Sequence, residues 1–494
     1  ILKAAKWVAN QPEQVHFVQI TSFGCGPDAF INEEIKQLLQ AKGKSYTLLK
    51  VDDVNNIGSL KLRIRSLIES HKSKKQPLCI PVKRTPVFEK KDKHRTIIAP
   101  YFAENYSELL PSIFKLMDID MHVLPPSDAV SNDIGLQYAN NEICYPATLV
   151  VGDIMKALQS GQFNPDEIAV AITQTGGQCR ASNYISMIKR ALLSGGFNSI
   201  PVVSVSFGSG ILNEQPGFEL KWAKSAVTAL YAMLYVDTLA KLYYPAIVRE
   251  IRKGAAKELK DKYLELAKPC IETKRHKDLI KLITKAVKDF NSIINHTIKA
   301  PVIGVVGEIY VKYNSFSHKN VINWLIEQGI EVVAPSLYNF FICEFVNLQI
   351  KKNLHIKKVT TPLFFSNYIF KKIRQIAEKF DNASQEYSYY RPFADLEKDS
   401  LNASKIISLA AQFGEGWLIP GEISAFAENK IYNAISLQPF GCIANHVISK
   451  GIEKKIKKTY PKMNLLFLDF DGGTSEANIL NRLHFMIDNA KNGE

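Results

Sequence analysis

Residues 168–183 read Ile168-Ala-Val-Ala-Ile-Thr-Gln-Thr-Gly-Gly-Gln-Cys-Arg-Ala-Ser-Asn183. The first five are small or branched apolar residues without polar alternation, as expected of a strand buried on both faces. A loop with paired glycines at 176 and 177 leads to Cys179, and Asn183–Leu193 then takes up helical spacing. Strand, short loop and helix form the repeating unit of a parallel α/β sheet. The unit recurs in both directions. Apolar runs at Val15–Ile20, Thr47–Val51, Thr96–Ala99, Val202–Val205, Val302–Val306, Val332–Val333, Ala434–Leu437 and Leu465–Leu468 read as further buried strands.

Phe218–His296 breaks the pattern: it is rich in Ala, Leu, Lys and Tyr and holds no strand-like run. The expected fold is therefore α/β, with two Rossmann- or flavodoxin-like lobes at 78–215 and 300–494. A helical bridge at 216–299 joins their parallel sheets. Ser70–Lys75 is polar and basic and reads as a linker, and Asp381–Tyr390 reads as a long surface loop.

An internal repeat refines this division. Phe23-Gly24-Cys25 returns as Phe440-Gly441-Cys442, an offset of 417 residues. The same offset matches Ile35 with Ile452, Leu48-Leu49 with Leu465-Leu466, Asp52 with Asp469 and Arg65 with Arg482. Both copies read strand, Cys loop, helix, strand, Asp and an Arg-bearing helix. Residues 1–75 are thus expected to be the C-terminal piece of an upstream module of the same kind. The lack of an initiator Met leads to the same expectation, that the chain is the C-terminal part of a longer polypeptide.

Composition excludes several classes. The 494 residues are 46% hydrophobic and 22% charged, ordinary for a globular chain and unlike a disordered one. Seven cysteines, an odd number scattered from Cys25 to Cys442, do not form a disulfide framework and point to a reducing compartment, the cytoplasm. The longest apolar stretch, Ala226–Val236, is shorter than the roughly 18–20 residues of a membrane span. The net charge of +14 comes mostly from lysine runs at His71–Lys75, Lys90–Arg95 and Lys450–Lys462. Without aromatic interleaving or zinc-finger spacing, these read as a solvated surface rather than a nucleic-acid footprint.

Three cysteines share one setting. Cys144, in Asn141-Glu-Ile-Cys-Tyr-Pro-Ala147, precedes a helix through Leu149–Leu158. Cys179 follows the strand Ile168–Ile172, and Cys442 follows Ala434–Leu437 inside Gln438-Pro-Phe-Gly-Cys442. The carboxyl ends of strands are where α/β sites assemble, and a helix start favours thiolate over thiol. Three thiolates fit a four-iron cluster with one iron left without a protein ligand, and zinc with an open position is the competing metal. Buried small apolar cysteines would be the plainer reading of any single one. Cys79, Cys270 and Cys343 lack such loops and are expected in cores, and Cys25, the repeat partner of Cys442, in an orphaned site.

Other motifs lead less far. Leu468-Asp-Phe-Asp-Gly-Gly-Thr-Ser475 is similar to the phosphate loop of sugar-kinase and actin-type ATPases, but its repeat partners Asn55, Asn56 and Ile57 are useless for phosphate. Phe207-Gly-Ser-Gly210 lacks a His/Asp partner set and reads as a turn. His446, four residues after Cys442, faces the same loop as a candidate proton donor or a helix-surface histidine. Arg180 adjoins a candidate ligand and either offsets its charge or lies on the surface.

Together, Cys144-Tyr-Pro, the run Gln174-Thr-Gly-Gly-Gln-Cys-Arg-Ala-Ser-Asn-Tyr184, Gly307-Glu-Ile-Tyr-Val-Lys-Tyr-Asn314 and Gln438-Pro-Phe-Gly-Cys442 resemble the large acyl-CoA dehydratase activase-related proteins. These are similar to the subunits of 2-hydroxyacyl-CoA dehydratases and to double-cubane cluster reductases. The resemblance implies an oxygen-sensitive iron–sulfur protein of anaerobic metabolism, with Cys144, Cys179 and Cys442 holding one [4Fe–4S] or larger cluster. It implies an ATPase activase domain, upstream or separate, as electron donor and sole user of ATP, and an acyl-CoA or small-molecule substrate. The rival expectation is a metal-free α/β scaffold or regulatory subunit that binds an activase or an acyl-CoA.

Overall fold

A computed structural model of the chain describes all residues except 23–24, 52–56, 73–78, 141, 175–178, 206–212, 357–362 and 493–494. The paired glycines 176 and 177, the 207–210 turn and the Asn55-Asn56 partners of the phosphate-like loop lie outside the described residues.

Ten strands are described, and every pairing among them is parallel. β1 (Phe17–Thr21) and β2 (Tyr46–Lys50) form a two-stranded sheet with a core of its own, in which Phe17 packs with Ile35 and Leu39. β3 (Thr96–Ala99), β4 (Met121–Val123), β5 (Ile168–Thr173) and β6 (Val202–Val205) build the first lobe in the order β4-β3-β5-β6. β7 (Val302–Gly307), β8 (Glu331–Val333), β9 (Asn433–Pro439) and β10 (Asn464–Phe470) build the second in the order β10-β9-β7-β8. Counted within each lobe, both sheets run second, first, third, fourth. This is a doubly wound order, with its switch point between the first and third strands. The α/β class and the parallel lobes expected from the sequence are what the chain adopts.

Every strand read from the sequence is present, and β4 is added. Met121-His-Val123 was not legible because it is three residues long, has a polar centre and sits at a sheet edge. The elements around Cys25 and Cys442 come in the same order: a strand, the cysteine, a helix, a parallel strand and a closing helix.

Residues 222–292 are helical, as Trp222–Ile247, Ala255–Glu272 and His276–Ser292. In the last of these, Leu279, Ile283, Val287 and Phe290 recur at helical spacing and are buried, so one stripe faces the core and the lysines face out. Their core is shared with Leu337–Asn353 and Leu363–Ser384, helices that follow β8. Asp237 ties the parts together by accepting from Tyr106 Oη at 2.5 Å and from the N–H groups of Leu337 and Tyr338 at 2.8 and 3.0 Å.

Two polar stretches differ from expectation. Asp381–Ser384 ends a helix, Tyr387 is buried, and Asp381 accepts from Tyr390 Oη and Phe393 N–H, so 381–390 is a packed corner and not a long surface loop. Ser70–Lys72 continues the helix Ile57–Lys72, with the rest of the expected linker outside the described residues. Among the described residues no helix is long and apolar enough to cross a membrane.

Gly307 closes β7 at φ +134°, and a Cβ there would meet Leu437 O at 1.9 Å. Gly307→Ala is therefore expected to cost about 2 kcal/mol or more through strain and steric displacement of β9. Gly196→Ala, also at positive φ but with nothing within 4 Å, should cost about 1 kcal/mol. Urea midpoints of the two variants check the difference.

Candidate functional site

The two switch points carry the cysteine loops. β5 ends at Thr173, six residues before Cys179, and β9 ends at Pro439, three before Cys442. Cys144 is the N-cap of the helix Tyr145–Gln159, with Pro146 in its first turn, where a missing N–H costs nothing. Cys179 opens the 3-10 turn Arg180–Asn183, and Cys442 opens Ile443–Ile448. All three cysteines have extended backbone, and the N–H groups of Ala147 and Asn445, each three residues on, bond the Cys144 and Cys442 sulfurs and favour their thiolates. The sequence pattern of Cys before helix is thus real.

The three thiols are electrostatic neighbours. Cys144, 6% exposed, accepts or donates a 2.8 Å bond with Tyr184 Oη. Burial pushes its thiol up to about 12; Glu308 and Cys179 add to the rise, and the Tyr184 hydroxyl opposes it. Cys442 is raised well above the ordinary thiol range by burial, then by Glu415, Glu308 and Cys144. Among the described residues no three His, Cys, Asp or Glu side chains stand together as ligands of a single ion. The cysteines share one electrostatic environment at longer range.

Two half-buried carboxyl groups that sequence reading missed complete the site. Glu308 follows β7, caps Ile309–Tyr313 and accepts from Val311 N–H at 2.8 Å. Glu415 accepts from Ile309 N–H at 2.9 Å. Asn445, on the turn after Cys442, donates to Glu415 at 3.2 Å and accepts from Glu308 N–H at 3.0 Å when its amide nitrogen faces Glu415. Burial raises both acids, and Glu415 raises Glu308 further, while Lys312 pulls both back. The only available signal was Gly-Glu directly after a strand, and Glu415 lies 107 residues away with no motif around it.

Arg180 is 7% exposed, so the surface reading is wrong. Its Nη1 donates to Glu142 O at 2.9 Å and to Ile143 O. His446 is tied into the loop: its Nε2 accepts from Gly441 N–H at 3.1 Å, which places the ring proton on Nδ1. Burial lowers its pKa, and Asp469 opposes the shift. The 468–475 loop closes on itself, with Asp471 accepting from Gly473 N–H and Thr474 Oγ1.

The other cysteines are elsewhere. Cys270 and Cys343 are buried in the helical core, as expected. Cys79 is exposed, with Sγ 2.9 Å from Ala41 O, because the apolar run containing it packs into no core. Cys25 is half-buried at the N-cap of Gly26–Gln40.

Burial and two acids favour protonated thiols among protein groups alone, and a positively charged group bound by the sulfurs would reverse that preference. No protein-family model matches this chain, and no curated protein matches it.

Beside the site, Asp153 lies on the helix begun by Cys144 and is 1% exposed. Its Oδ2 accepts from Ser127 Oγ at 2.8 Å, and Ser127 also lines a cleft between the lobes with Asn314 and Lys260. Burial raises Asp153 from 3.8 to about 7; Ser131, Ser127 and Lys156 oppose the rise and Asp128 adds to it. A folded-state value above the unfolded one means that stability is full below 3.8 and falls as pH rises through about 7. Asp153→Asn should remove this component, flattening the loss between pH 5 and 8 by on the order of 2 kcal/mol. Urea titrations of both proteins at the two pH values test it.

Proposed function

We propose that the chain is the iron–sulfur component of an ATP-driven, low-potential electron-transfer system, similar to 2-hydroxyacyl-CoA dehydratases and activase-related reductases, acting in the cytoplasm. The observation that carries this reading is that Cys144, Cys179 and Cys442 each open a helical turn, with Cys179 acting on Cys144 and Cys144 on Cys442. Their three sulfurs would hold a [4Fe–4S] or larger cluster. Bound there, such a cluster supplies one-electron chemistry at low potential.

The protein's own groups would serve this in distinct ways. Tyr184 Oη donates toward the Cys144 sulfur, which stabilises a thiolate. The Arg180 guanidinium, one residue from Cys179, offsets negative charge that three thiolates bring into a buried place. Glu308, pushed up to about 8 by desolvation and by Glu415, keeps a proton beside the sulfurs at neutral pH, and desolvation raises Glu415 as well. The surrounding core, including Ile143, Tyr145 and Leu437, keeps bulk water out. An acyl-CoA or another small molecule would approach from the cleft between the lobes, and an ATPase activase domain would deliver the electron.

Anaerobic purification followed by iron and sulfide analysis and EPR of the reduced protein tests the proposal. The expected result is about four iron atoms or more per chain, with Cys144→Ser, Cys179→Ser and Cys442→Ser each losing most of the iron and Cys343→Ser losing none. A colourless, iron-free chain indifferent to Cys179→Ser defeats the reading and leaves the metal-free scaffold.

A further inference from the structure

We infer that Arg180 is the positioning residue that fixes the three cysteine loops relative to one another, an inference that rests on reading Cys144, Cys179 and Cys442 as one site. Arg180 directly follows Cys179 and belongs to the 3-10 turn that Cys179 opens. From there its Nη1 donates to the carbonyls of Glu142, at 2.9 Å, and Ile143, the two residues ahead of Cys144. Nη1 also lies under Gly441, the residue ahead of Cys442, where an added Cβ would come within 3.4 Å of it. Gly441 is held at φ +81° with its N–H on His446. One side chain therefore starts next to Cys179, bonds the two residues ahead of Cys144 and ends beside the residue ahead of Cys442.

The chemistry suits arginine. Two consecutive carbonyls fix the direction of the backbone entering Cys144, and both are met by one Nη1 group, whose N–H directions are fixed in the guanidinium plane as those of a lysine ammonium are not. Burying a guanidinium is costly unless its donors are used, so the side chain cannot drift without losing those bonds. The separation between the Cys144 and Cys179 loops is thereby set by the length of one side chain. The Gly441 contact makes the Cys442 loop register on the same group.

Site-resolved alkylation tests this on the metal-free full chain. Iodoacetamide labelling at each cysteine is followed by mass spectrometry for the wild type, Arg180→Gln and Arg180→Lys. Losing charged hydrogen bonds to the Glu142–Ile143 carbonyls should raise labelling of Cys144 about tenfold or more in Arg180→Gln. Arg180→Lys should fall between the two. Cys343, in a separate core, should label at the wild-type rate in both, which a general loosening of the fold would not allow. If Cys343 also becomes reactive in Arg180→Gln, Arg180→Lys is read on the same criterion. Cys144 labelling within twofold of wild type, with Cys343 unchanged, overturns the inference. Since labelling needs no iron, an iron-free protein would sink the cluster proposal while leaving this result to stand or fall alone.

Discussion

Glu308 and Glu415 stand together, half-buried, and the backbone around them is arranged to meet their oxygen atoms. Glu308 takes the Val311 N–H, Glu415 takes the Ile309 N–H, and Asn445 bridges Glu415 and the Glu308 N–H. A buried carboxyl without such donors costs several kcal/mol, on the order of a hydrogen-bonded core residue's whole contribution. The end of β7, the loop ahead of Leu418–Glu428 and the turn after Cys442 must therefore stay where they are. That knot fixes the second lobe's side of the site, and Gly307 is what lets β7 turn into it against Leu437.

The fold was legible because burial on both faces of a parallel strand leaves a continuous apolar run, as in Ile168–Ile172 and Val302–Val306. Met121-His-Val123 escaped because an edge strand needs only one neighbour and tolerates a polar residue. Asp381–Tyr390 misled in the opposite direction. Its polar side chains turn inward to satisfy backbone groups, with Asp381 holding Tyr390 and Phe393. Cys79 misled because apolar neighbours in sequence do not guarantee a core in space.

The site was half legible. Its cysteines stood out since each sits at a strand-to-helix junction, a position that local sequence marks. Its acids did not, since Glu308 and Glu415 come from distant segments that the packing of the helix Leu418–Glu428 on β7 brings together. Their effect is electrostatic: each raises the Cys442 thiol, so sulfurs and carboxyls compete to keep protons. The cations that act here, Lys312 and Arg180, are buried.

The balance reaches the N-terminal sheet through Glu142. Its carbonyl receives Arg180, while its carboxylate pairs with Lys50 at the end of β2. Glu34 pairs with Arg190 at 3.1 Å, and Ala29 packs in the core that contains Ile143 and Cys144. Each contact alone is worth little, the exposed ion pairs least of all. Together they reach both sides of the site, since Lys50 holds the segment that leads into Cys144 and Glu34 holds the helix that follows Cys179. A shift of β2 that pulled Lys50 away would act on the residue whose carbonyl Arg180 grips, and so on all three cysteine loops. The β1–β2 sheet is thus mechanically continuous with the segment that carries Cys144.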